Sequence, residues 1–128
     1  KKLHEEILNN AIEIFEKLEI PFRVIDICTG DIGTVASRKF DLEAWMPSTK
    51  KWKEVVSASN CNSYQSVRLN MRYRTNEGTS FPHTLNSTAV ATTRALAAII
   101  ENNQTDNGDV IIPKVLRKWM GNQETIEA

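Results

Sequence analysis

Leu3, Ile7, Leu8, Ala11, Ile14, Phe15 and Leu18 recur at helical spacing, while Glu5, Glu6, Asn9, Glu13, Glu16 and Lys17 fill most of the other face. The pattern predicts a half-buried amphipathic helix over 2–19 that ends before Pro21. Phe22 to Cys28 carries Val24, Ile25 and Ile27 in the β-branched style of a strand. Thr29-Gly30-Asp31-Ile32-Gly33 reads as a turn. A phosphate-cradling loop is the alternative there, but no Lys-Ser/Thr follows it and the GxGxxG spacing is missing. Phe40, Leu42, Ala44 and Met46 alternate with Asp41, Glu43 and Trp45, a strand whose second face is largely acidic. After the turn at 47–51, Trp52, Glu54, Val56 and Ala58 alternate with Lys53, Val55, Ser57 and Ser59, so 40–46 and 52–58 are expected to pair as an antiparallel hairpin.

Asn62-Ser63 can cap a helix over about 63–70, with Arg68 and Arg72 on its rim as surface charge, carboxylate partners or ligand groups. A polar turn at 75–80 leads to the stretch that constrains the chain most, 84–104. Between Leu85 and Ile100 the single charge is Arg94, and a helix apolar on nearly all sides is normally buried. Asn86, Ser87 and Thr88 are N-cap residue types at its expected start. Val110-Ile111-Ile112 is a short apolar segment, Pro113 opens a final helix running through Trp119-Met120 to Gly121, and the last seven residues read as a loose tail.

The length of 128 residues suits one domain, and 41% hydrophobic residues suffice for a core. Formal charge is zero, which offers no electrostatic argument for nonspecific nucleic-acid binding. Cys28 and Cys61 lack CxxC spacing and are read as reduced thiols of an intracellular protein, with no zinc ligand cluster. No run of about eighteen apolar residues suggests a membrane span, so the chain is expected to be soluble.

A buried arginine must be paired or face a polar cavity, because an uncompensated buried charge costs several kcal/mol. Arg94 is therefore either one half of an internal salt bridge or a phosphate ligand, for which its planar fork is suited. A carboxylate on a central strand with a hydroxyl nearby suits a hard cation such as Mg²⁺ bridging phosphates. Asp41 and Glu43 are read as orienting groups, with Arg68 or Arg94 as possible partners.

The run TLNSTAVATTRALAAIIEN is similar to motif 3 of class II aminoacyl-tRNA synthetases in its seryl form, TLN-x-[ST]-x-x-A-x-x-R followed by an apolar helix and EN. PFRVIDICTGDIG, RKFDLEAWMP, EVVSASNCNSYQSVRLN and VIIPKVLRKWMG agree with the seryl-tRNA synthetase family in the same order. The spellings SASNC and QSVRLN resemble the mitochondrial branch, which implies the mitochondrial matrix, with the cytoplasm as the alternative.

The resemblance implies an α+β fold, a mixed but mainly antiparallel class II synthetase-like sheet with flanking helices, present here as a partial domain. It implies that Glu54, Val55, Val56 and Ser57 contact ATP, with Glu54 and Ser57 on its Mg²⁺, and that Arg94 binds the γ-phosphate. Strict alternation puts Glu54 and Ser57 on opposite faces, so the ion this implies they share requires a bulge or sharp twist between them. Otherwise Ser57 is a buried hydroxyl bonded to backbone. Asn86 and Thr88 match positions lining the serine pocket. No residue is assigned covalent or acid–base catalysis, because the serine carboxylate itself attacks the α-phosphate to give seryl-adenylate before transfer to tRNA(Ser). Motif 3 falls at about 84–104, whereas motif 1, motif 2 and the tRNA-binding arm are absent. The chain, 1–128, is thus expected to be the C-terminal part of a catalytic domain, inactive alone and homodimeric as the full-length protein. A synthetase-derived binding scaffold is the alternative, and a self-sufficient nucleotide-binding domain a weaker one, since its sheet edge would need cover.

Overall fold

The computed structural model describes residues 1–128. Helix α1, Lys2–Lys17, turns Leu8, Ala11 and Phe15 inward at i, i+3 and i+7 and leaves Leu3 exposed. Burying such side chains is worth about 1.5–3 kcal/mol each for the large ones. Glu19 ends the helix in the left-handed region (φ 56°), and the Ile20 N–H donates back to the Phe15 carbonyl. That six-to-one bond is the Schellman closure, and it brings Ile20 into the core beside Phe15.

Four strands form the main sheet: β1 (Phe22–Asp26), β2 (Arg38–Met46), β3 (Lys51–Asn62) and, after an excursion, β6 (Thr84–Ser87). Their order is β1-β2-β3-β6, and every pairing is antiparallel, so the mixed sheet expected from the resemblance is here purely antiparallel. The hairpin at 40–58 is present and longer than its apolar alternation suggested. Lys50 turns it with φ 53°, its N–H donating to the Pro47 carbonyl.

Between β3 and β6 the chain makes helix α2, Tyr64–Arg68, and a small hairpin of β4 (Tyr73–Thr75) and β5 (Gly78–Ser80). Helix α3 spans Thr92–Asn103, followed by β7 (Val110–Ile111), α4 (Lys114–Arg117) and β8 (Thr125–Ile126). The loose tail is corrected: Thr125 and Ile126 pair with β7, and the Ile112 N–H donates to the Glu124 carbonyl. The exposed strand edge at 110–112 gains ladder partners this way, which a polar tail sequence does not announce. The final helix is also shorter than expected, with the chain turning again before Gly121.

One face of the sheet carries α1 and α3. Leu42, Ala44, Met46, Val56 and Phe15 join Ala95 and Ala98 in a single buried cluster. His4, unassigned in sequence, is buried at one end, its Nε2 bonding the Ala58 carbonyl at 2.9 Å and its ring beside Phe40. Both cysteines are free, Cys61 buried and Cys28 exposed. No helix is long and apolar enough to cross a membrane.

Candidate active site on the open face of the sheet

The opposite sheet face carries neither α1 nor α3 and presents the candidate site residues. Leu42 pairs with Val56, but the next residue, Glu43, pairs with Glu54, so Val55 has no cross-strand partner. This is the bulge that a shared role for Glu54 and Ser57 requires. Residues directly opposite share a face, so Glu54 joins Glu43 and Ser57 joins Asp41. Val55 and Val56 are consecutive and both buried, which an unbroken alternation does not permit.

Three hydrogen bonds stitch the 88–94 segment to this bulge. The Thr88 N–H donates to the Ser57 carbonyl at 3.1 Å, the Ala91 N–H to the Val55 carbonyl at 3.0 Å, and Arg94 Nη1 to the Glu54 carbonyl at 2.9 Å. Arg94 Nη1 also lies 3.8 Å from Glu54 Oε1, and both side chains are nearly half exposed (46% and 45%). The pair is loose and solvated, neither the internal salt bridge nor the buried cation that the apolar run suggested.

Two expectations for this segment are corrected. Asn86 and Ser87 lie in β6, and the helix starts only at Thr92, with Ala91 at the N-cap and no side-chain cap bond. Pairing with β3 satisfies backbone groups at Leu85, Asn86 and Ser87 that a helix start would have left open. Thr88 is consequently outside the helix, so its separation from Arg94 does not follow helical rise. Nor is α3 buried all round. Its inward contacts are Ala95 and Ala98, while Leu96 and Ile100 are exposed, because the helix lies on a single sheet layer.

Asn86 pairs with Ser59 and so shares the face of Ser57 and Glu54. It lines a cavity of about 330 Å³ with Ser59, Cys61, Gln65 and loop residues 32–36. That is the small end of ligand pockets, which run from about 300 to 1,000 Å³. Sequence reading missed Ser59 and Gln65 and treated the 29–33 loop as a plain turn. The period-2 position of Ser59, two after Ser57, was the available signal. The main cavities do not include Glu54 or Arg94, whose side chains are both nearly half exposed.

Asp41 and Glu43 find other partners than the arginines considered. Arg23 holds Glu43 at 2.7 Å and lies over Trp52 at 5.0 Å, and Trp52 packs edge-on against Trp45. Lys39 is 3.6 Å from Asp41, whose other carboxylate oxygen is buried without a partner. No cluster of three His, Cys, Asp or Glu side chains exists, so Glu54 and Ser57 offer two hard oxygen donors rather than a metal cage. Two donors with space for phosphate and water oxygens fit Mg²⁺, which seldom takes an all-protein shell.

The bulged strand thus presents a carboxylate and a hydroxyl on one face, with an arginine of α3 hydrogen-bonded to its backbone. Residues 1–103 match the tRNA synthetase class II core domain (G, H, P, S and T), and the chain belongs to that family. The chain is 61% identical over 125 residues to the serine–tRNA ligase of Methanospirillum hungatei, covering 95% of this chain and 29% of that protein. To the serine–tRNA ligase of Thermococcus onnurineus it is 58% identical over 127 residues, covering 98% of this chain and 28% of that one. The structure of seryl-tRNA synthetase from Pyrococcus horikoshii complexed with ATP superposes with a TM-score of 0.94 at 54% identity, over 98% of this chain and 28% of that chain. The cytoplasmic serine–tRNA ligase of Naegleria fowleri in complex with AMP gives a TM-score of 0.90 at 40% identity, with 98% and 30% covered. The chain thus spans under a third of the length of these relatives.

Proposed function

We propose that this chain is the motif 3 portion of a seryl-tRNA synthetase, which activates L-serine with ATP to seryl-adenylate and transfers the seryl group to tRNA(Ser). The observation that carries this reading is the Val55 bulge, which puts Glu54 and Ser57 on one face with the Arg94 segment hydrogen-bonded across it. The strong identity to serine–tRNA ligases supports the substrate assignment.

Glu54 and Ser57 hold the Mg²⁺ that accompanies ATP and supplies counter-charge to its phosphates. The bulge backbone at Val55 and Val56 positions the nucleotide, and Arg94 exchanges its loose contact with Glu54 for the γ-phosphate. Asn86, which lines the small cavity, and Thr88 bond the serine side chain. The attacking carboxylate is already a nucleophile, so the protein's part is alignment and charge neutralisation. The full-length protein is a homodimer. The mitochondrial matrix, with the cytoplasm as alternative, rests only on the spellings SASNC and QSVRLN, and fractionation of source cells decides between them.

The test is ATP–pyrophosphate exchange by the protein as encoded. Exchange should require serine and a divalent ion and should not occur with alanine in place of serine. No exchange while ATP still binds tightly would turn the reading toward a synthetase-derived scaffold, and exchange with alanine equal to that with serine would refute serine as the substrate.

A further inference from the structure

Seven arginines occur in the chain, and their partners divide them sharply. Arg23, Arg38, Arg94 and Arg117 each have a carboxylate within 4.0 Å, on Glu43, Asp26, Glu54 and Glu124. Arg68, Arg72 and Arg74 have none, and these three fall within seven consecutive residues. Two of them stack on aromatic rings instead: the Arg68 guanidinium lies 3.6 Å over Tyr64, and that of Arg72 lies 4.7 Å over Phe81. Stacking orients a guanidinium without neutralising it, so N–H groups stay available to an anion, although Arg72 Nε already donates to Asn70 Oδ1 at 3.1 Å. Within 64–83 the only carboxylate is Glu77, at the tip of the β4–β5 hairpin. The chain as a whole has zero formal charge, so this local excess of cations is not a by-product of a basic composition.

The same segment exposes flat and apolar side chains. Every residue from 67 to 80 is exposed, Tyr73 and Leu69 among them. Yet the platform is tied to the main sheet. Ser66 Oγ donates to the Pro82 carbonyl at 2.6 Å, and Thr84 Oγ1 donates to Gln65 Oε1 at 2.7 Å. Gln65 and Asn86 line the same small cavity. The helix that carries Arg68 thus also contributes Gln65 to that cavity.

We propose that α2 and the β4–β5 hairpin form an RNA-docking surface, with Arg68, Arg72 and Arg74 on successive phosphates and Tyr73 against an unstacked base. The arginines sit on a helix, a loop and a strand and do not converge on one cavity, which suits a chain of phosphates better than one nucleotide. Uncompensated guanidiniums beside exposed aromatic groups are what single-stranded RNA recognition uses. The identity of the RNA as the 3′-terminal region of tRNA rests on the synthetase reading above; the surface itself does not.

The test compares wild type with the triple variant R68Q/R72Q/R74Q and the charge-keeping R68K/R72K/R74K, all in the protein as encoded. Fluorescence anisotropy with a tRNA(Ser) transcript is read across a potassium chloride series, and serine-dependent exchange is measured in parallel. The glutamine variant should bind RNA tenfold or more weakly, and the slope of log affinity against log salt should fall by about 2, since each single-strand phosphate contact contributes roughly 0.7. The lysine variant should recover the slope without the full affinity, and exchange should stay within twofold of wild type in both. Unchanged affinity and slope overturn the proposal. So does a loss of exchange that tracks the loss of RNA binding, which marks a structural role, or a changed sedimentation coefficient with RNA affinity intact, which marks a protein interface. A wild type that binds RNA in this way but shows no serine-dependent exchange sinks the synthetase reading and leaves the surface standing.

Discussion

The two faces of the main sheet are built by the same strands and obey different rules. The face under α1 and α3 is filled by Leu42, Ala44, Met46, Val56 and Phe15, with almost no exposure. The open face carries Arg23, Glu43, Glu54, Ser57 and Asn86, with Arg23 held on Glu43 at 2.7 Å and Glu54 in a loose, solvated pair with Arg94. Period-2 alternation can produce such a division but cannot put Glu54 and Ser57 on the same side. One unpaired residue, Val55, reconciles the demands: the core keeps two adjacent valines, and Glu54 and Ser57 come to the same side. Apolar packing is concentrated on one face and polar groups on the other, and the bulge is where the two meet.

The most severe way to break this arrangement is to delete Val55. Removing it restores plain alternation and forces one half of β3 onto the wrong face, so a loss of about 4 kcal/mol or more is expected. Circular dichroism melting should show no cooperative transition near the wild-type midpoint; a normal melt would mean that the bulge is dispensable to the fold. Leu42→Ala addresses the packed face alone. The residue is fully buried opposite Val56, and truncation should cost about 2–5 kcal/mol by urea denaturation. A cost below the range for an exposed residue would contradict the packing described here.

Arg94→Ala probes the open face and should show the converse pattern. Losing a charge-assisted contact costs about 1.5–3 kcal/mol, so exchange should drop roughly ten- to a hundredfold. The melting temperature should move little, because the Arg94–Glu54 pair is solvated and weak. If stability fell more than activity, Arg94 would be a structural strut.

The smallest effect concerns acid. The Ser48 backbone N–H donates to Glu101 at 3.0 Å and holds that carboxyl below its ordinary range. A carboxylate whose pKa is lower in the folded state adds stability above its unfolded pKa and loses it as pH falls through the folded one. Wild type should therefore lose melting temperature slightly faster than Glu101→Gln below about pH 4, the ordinary carboxylate range. Identical acid limbs for the two proteins would mean that this end of α3 contributes nothing to the pH response.

Much of the frame was open to reading because each signal is local. The helix at the N-terminus and the 40–58 hairpin follow from spacing alone, and the need for an irregularity between Glu54 and Ser57 follows from setting the family motif against period-2 alternation. The start of α3 did not, since Asn86 and Ser87 look like caps until β3 is present to pair with them. Leu96 and Ile100 suggested an enclosed helix, although the sheet offers it only one layer. The paired end of the chain went unread for a similar reason, because β8 contains just Thr125 and Ile126.

The candidate site divides along the same line. Motif spelling singled out Glu54, Val55, Val56, Ser57, Asn86, Thr88 and Arg94, but not Ser59, Gln65 and the 32–36 loop around the cavity. What the amino-acid order determined by itself was periodicity, turn chemistry and family membership, all carried by residues near one another in the chain. Only tertiary structure decided which carboxylate each arginine meets, which backbone edge finds a partner and which apolar face is covered. Those outcomes depend on groups far apart in sequence competing for the same hydrogen bonds and the same dry surface.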